Sequence, residues 1–121
     1  MLAAHPGARI RVDAVWYRMY PGDARNRWRA DLLPDRRVRH WWDERRLVAK
    51  QLTADIRPFE ALRAPRSRVF KDDLLWDAYV LFDRDARWQQ EVPRPVSWGY
   101  TILAAKDALA AGVKSLVATR R

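Results

Sequence analysis

The chain reads as an α/β protein, one three-layer domain with a small mixed sheet, a C-terminal β-hairpin and helices on both faces. Two observations carry this. Ile10 to Tyr20 (IRVDAVWYRMY) alternates Ile10, Val12, Ala14 and Trp16 with Arg11 and Asp13, which is strand periodicity. Directly behind it, and again behind Arg37 to Trp42, stands an aspartate able to cap a following helix. Strand-then-helix repeated in this way is the grammar of a parallel sheet.

The 121 residues fit one domain with a single core. Met1 to Arg9 forms a lead-in ending at Pro6-Gly7. The apolar run Val15, Trp16, Tyr17 and Met19 predicts burial of the first strand on both faces. Asp23 then caps a first helix to about Leu33, stopped by Pro34, with Ala24, Trp28 and Leu32 on one side. A second strand, Arg37 to Trp42, hands over to Asp43 and a helix with Leu47, Val48, Gln51 and Leu52 as its inward stripe.

Periodicity fails over 57–73, a long basic loop punctuated by Pro58 and Pro65. Phe59, Leu62, Val69 and Phe70 can pin it, through a short helix around Phe59 to Arg63. Trp76 to Phe82 is a third strand, and Asp83 to Ala86 turns it into a returning strand at Arg87-Trp88. A closing helix runs from about Thr101 to Ala111, with Gly112 as its C-cap and 113–121 as a tail. Val113 to Val117 can extend that helix.

Composition excludes more than it assigns. With no cysteine there is no disulfide, no zinc-thiolate site and no thiol nucleophile. No apolar stretch approaches the ~20 residues of a membrane span, so the chain is read as soluble, with no membrane partner. No cofactor or metal is expected, because the four glycines are isolated and there are only two histidines. Ser67, Ser97 and Ser115 lack a nucleophile-elbow context. The net charge of +9, carried by 20 arginines and 4 lysines, attracts phosphates and acidic partners. Yet Asp23, Asp31, Asp35, Asp43 and Glu44 interleave with the arginines, whereas a nucleic-acid footprint gathers one sign on one face.

Five residues are candidates for binding. His40, near Asp43 and Asp35, has acid-base or ligand chemistry, set against a structural place at a strand end. Asp77 opens an apolar strand, and burial there would raise its pKa; the alternative is a turn cap. Trp76 beside it, Trp42 and Asp23 complete the set. The pairs Asp72-Asp73 and Asp83/Asp85 read as solvated turn formers. Of the seven tryptophans, Trp16, Trp28 and Trp76 are assigned to the core, and Trp41, Trp42, Trp88 and Trp98 to a surface.

The fragments VWYRMYPGDAR, LLPDRRVRHWWDE and LWDAYVLFDRDARW resemble bacterial thioredoxin-like proteins, in the branch related to thiol-disulfide oxidoreductases and peroxiredoxins. The resemblance spans about Ile10 to Ala111 and implies a thioredoxin-like fold. It also implies a central strand and a Cys-x-x-Cys helix ahead of Ile10, and a cis-proline near the position of Asp77. None of the three is in this sequence, so dithiol chemistry is closed to it. The missing strand would lie between Ile10–Tyr20 and Trp76–Phe82. Three outcomes follow as alternatives: an upstream portion lost through truncation or a misassigned start, a smaller rearranged sheet, or completion by a partner chain. The functional expectation is a non-catalytic or truncated thioredoxin-like domain with no specific role assigned, its partner an unknown protein or a second copy met at an exposed strand edge. One alternative is an interaction subunit completed by a partner chain. Another is a small basic nucleic-acid-binding module.

Overall fold

The computed structural model describes residues 1–27, 30–64 and 74–119. Their contacts divide the chain into two units, Met1–Ala49 and Lys50–Arg121. Among the described residues the protein is a mixed α/β chain with two α-helices and two two-stranded sheets, where sequence predicts a single mixed sheet. No third strand joins either pair among the described residues.

The first unit holds β1 (Val12–Trp16) and β2 (Val38–Trp42), parallel and in register from Val12 opposite Val38 to Trp16 opposite Trp42. Side chains alternate across the ladder. Val12, Ala14, Trp16, Val38, His40 and Trp42 share one face and are all partly buried. The other face carries exposed Asp13, Arg39 and Trp41 beside partly buried Val15, so burial on both faces is confined to the end of β1. Charged residues at alternate positions hold that face in water.

The connection between these strands contains short 3₁₀ turns, Arg25–Arg27 and Ala30–Leu32, where sequence predicts an α-helix from Asp23. The reason lies in what the Asp23 carboxylate accepts. Its Oδ2 takes the N–H groups of Met19 and Tyr20, each at 2.9 Å, which precede it in the chain. That oxygen closes the Tyr20–Asp23 turn, so Asp23 caps backwards. Asp43 behaves as predicted. Its Oδ1 accepts from Leu47 N–H (2.8 Å) and its Oδ2 from Ala49 N–H (3.1 Å), starting α1 (Leu47–Ile56). The inward side of α1 is shifted from the predicted stripe: Ala49, Thr53 and Ile56 are buried, whereas Leu47 and Gln51 face solvent.

The second unit contains the apolar core. Beyond α1 the chain winds through a 3₁₀ segment, Arg57–Leu62, kinked at Phe59, close to the short helix predicted there. Val69 and Phe70 lie outside the described residues. β3 (Ala78–Leu81) pairs antiparallel with β4 (Ser97–Tyr100), so the returning strand is Ser97–Tyr100 and not Arg87-Trp88. The turn at Asp83 forms as expected, with Ala86 N–H on the Asp83 carbonyl. β4 supplies what Arg87-Trp88 lacks, aromatic residues on either side of a glycine. At Gly99 a Cβ would stand 2.6 Å from Ala105 Cβ and 2.7 Å from the Tyr79 ring, so only glycine admits this close packing.

Ile56, Leu75, Val92, Trp98 and Tyr100 form one buried cluster, joined by partly buried Leu52, Phe59, Leu62 and Val80. Ala64, Tyr79 and Ala105 form a second, with Leu81, Ala108 and Leu109 against it. Trp98 is only 1% exposed, with its indole N–H on the Phe59 carbonyl (2.8 Å), which corrects its assignment to the surface. α2 (Ile102–Ala118) begins at Thr101, whose hydroxyl accepts from Ala104 N–H. It runs straight through Gly112, the predicted C-cap, to Ala118. Among the described residues no helix is long and apolar enough to cross a membrane.

Candidate functional site

The five candidate residues are divided between the two units. Asp23, His40 and Trp42 lie in the first unit, Trp76 and Asp77 in the second.

His40 is fully engaged. Trp16 Nε1–H donates to its Nδ1 at 3.0 Å, which leaves the proton on Nε2, 3.3 Å from the Leu33 carbonyl. The two rings stack at 6.1 Å between centroids, 21° from parallel. An imidazole so held fixes β1 against β2, and its lone pair is already spent. Among the described residues no group of three His, Cys, Asp or Glu side chains could hold a metal. Trp42 is partly buried, and its indole N–H reaches the Glu44 carboxylate. Asp23 serves the turn described above. Its carboxyl lies below the ordinary range because the Met19 and Tyr20 N–H groups favour the anion, with Arg18 adding to the effect.

In the second unit Trp76 is partly buried, donating its N–H to the Tyr100 hydroxyl at 2.7 Å and meeting that ring edge-on. Asp77 is exposed and not buried at the head of the strand. Its φ of +46° is left-handed, a conformation that aspartate tolerates better than most residues, and it bends the chain into β3. Trp76 and Asp77 are thus a wall of the core and a bend. Neither forms a reactive centre.

Two features escaped the sequence reading. Arg37 is the hub of the first unit: its guanidinium takes both Asp35 oxygens and the carbonyls of Leu2, His5 and Ala8. Asp35 is held far below the usual carboxylate range by those Arg37 bonds. A shallow open depression beside it is lined by Ala3, Pro6, Asp35, Arg36 and Arg37. Since Arg37 already has its partners, the depression is a by-product of pinning the N-terminal segment. Nothing in Asp-x-Arg distinguishes such a hub from solvated charges.

The second feature is β3 itself. Ala78, Tyr79, Val80 and Leu81 carry no charge. Tyr79 and Leu81 pack into one cluster, Ala78 and Val80 into the other. The strand is therefore covered on both faces but paired along one edge only, among the described residues. Comparison with family models, with curated proteins and with solved structures finds no match.

Proposed function

We propose that this chain is a non-catalytic interaction domain on a thioredoxin-like plan, which accepts an extended strand of another polypeptide. The order of elements supports the plan: a parallel β1–β2 pair, an antiparallel β3–β4 pair, then a closing helix. With no cysteine, the residues of this chain have no dithiol chemistry to perform.

The observation that carries strand acceptance is β3. Strands packed on both faces ordinarily sit inside a sheet, with both edges paired. Natural edges are guarded by lysine, proline, a bulge, an inward charge, shortness or a covering loop; Ala78–Leu81 carries none of those residues and is guarded by its four-residue length. Its second edge, unpaired among the described residues, is a template for main-chain hydrogen bonds, the chemistry of β-augmentation. A net charge of +9 sets a second copy of the chain against itself and favours a partner with acidic flanks.

The test is residue-resolved hydrogen exchange at Ala78–Leu81, with sedimentation run in parallel. In a dilute monomer alternate amides of β3 exchange fast, since only every second one faces β4. Addition of a capped, acidic-ended valine–threonine peptide should slow them. Four equally protected amides in a monomer, unchanged by peptide, would show that the edge is closed and overturn this reading.

A further inference from the structure

The β1–β2 ladder brings side chains from distant parts of the sequence onto one face. Asp13 lies opposite Arg39, and Val15 opposite Trp41. Arg11, whose Nε stands 2.8 Å from Asp13 Oδ2, therefore shares a face with Arg39 and Trp41. This is the solvent face of the pair, and Trp41 is 51% exposed on it.

A lone exposed indole needs no explanation. This one is aimed. Trp41 Nε1–H donates to Asp13 Oδ1 at 3.0 Å, across to the neighbouring strand, so the ring is laid over β1 with its outer side to water. The Asp13 carboxylate is held by two donors, Arg11 and Trp41. Burial works to raise its pKa, but those hydrogen bonds and the charges of Arg11 and Arg39 prevail and keep it low. The ladder thus presents an open indole with Arg11 and Arg39 beside the Asp13 carboxylate that holds it. Residues 1–49 carry eleven arginines against six carboxylates, so the surrounding field attracts polyanions.

We propose that the open face of β1–β2 binds single-stranded nucleic acid, with a base stacked on Trp41 and neighbouring phosphates on Arg11 and Arg39. Every base has a π face, and sheet-borne aromatics with flanking arginines suit that ligand. An acidic peptide would satisfy the arginines but has no use for the fixed, open indole. This site lies in the first unit and does not depend on strand acceptance at β3.

The experiment titrates the full chain with a short fluorescein-labelled oligothymidylate, its oligouridylate counterpart and a polyaspartate, following anisotropy at low and moderate salt. Both oligonucleotides should bind, with affinity falling steeply as salt rises. Trp41→Ala should weaken binding by about tenfold or more, while Trp41→Phe retains most of it. Arg39→Gln should lower the log–log salt slope by about 1. Trp88→Ala removes an equally exposed indole far along the sequence and should change nothing. Wild-type affinity in Trp41→Ala with an unchanged circular-dichroism spectrum would overturn the assignment. So would polyaspartate binding as tightly as oligothymidylate, or no oligonucleotide binding at low salt.

Discussion

Residues 1–49 and residues 50–119 are held together by different forces. In the second unit the buried side chains are mostly apolar, Thr53 being an exception, and gather into two clusters around Trp98 and Tyr79. In the first, among the described residues, no apolar cluster forms, and the long-range ties are polar: Arg37 to three N-terminal carbonyls, Trp16 to His40, Trp41 to Asp13. Apolar burial is indifferent to pH and only weakly sensitive to salt, whereas charge-assisted hydrogen bonds depend on both. A two-stranded parallel sheet is also marginal without further cover. The lesson is that one short chain can pair a core-built half with a wired half, and conditions should separate them.

The largest effect should come from Trp98→Ala, which empties the best-buried aromatic site and strands the Phe59 carbonyl. A loss of about 3–5 kcal/mol is expected, read as a drop in urea midpoint. If that variant unfolds β1–β2 in the same step, the two halves are one cooperative unit and do not differ in what holds them. Next comes Asp43→Ala. Two amide donors at the start of α1, Leu47 N–H and Ala49 N–H, lose their acceptor, for about 1–3 kcal/mol by the same measurement.

Acid should sharpen the difference. Asp13, Asp23 and Asp35 all have carboxyls depressed in the folded state. For such a group the stabilisation is complete above the unfolded pKa, about 4, and is lost as pH falls through the lower folded value. Asp55, beside the Val92 N–H, is the corresponding described carboxyl of the second unit. Amide exchange between pH 5 and pH 2 should therefore quicken in 1–49 before it does around Trp98, and simultaneous loosening would count against polar wiring.

The smallest effect is assigned to Gly112→Ala. A Cβ there meets Leu81 Cδ2 at 2.8 Å, the mobile tip of a side chain, while alanine gains up to ~1 kcal/mol of helix propensity. Thermal melting should move by no more than a few degrees.

What local pattern determined, and what folding decided, divide along physical lines. Alternation over Val12–Trp16 and Val38–Trp42, the Asp43 cap, the Asp83 turn and a helix after Thr101 all rest on neighbours within a few residues, and each was readable. The Asp23 cap failed because one carboxylate can serve the amides before it as well as those after it, and spacing does not say which. Ser97–Tyr100 displaced Arg87-Trp88 as the partner of β3 because a close approach at Gly99 is worth something only when Ala105 and Tyr79 arrive from distant parts of the chain. Trp41 and Trp98 are the same residue type in aromatic stretches, yet one lies open on a sheet and the other is sealed in a core. Their fates depend on which face each strand buries, a property of the assembled sheet and not of the residue.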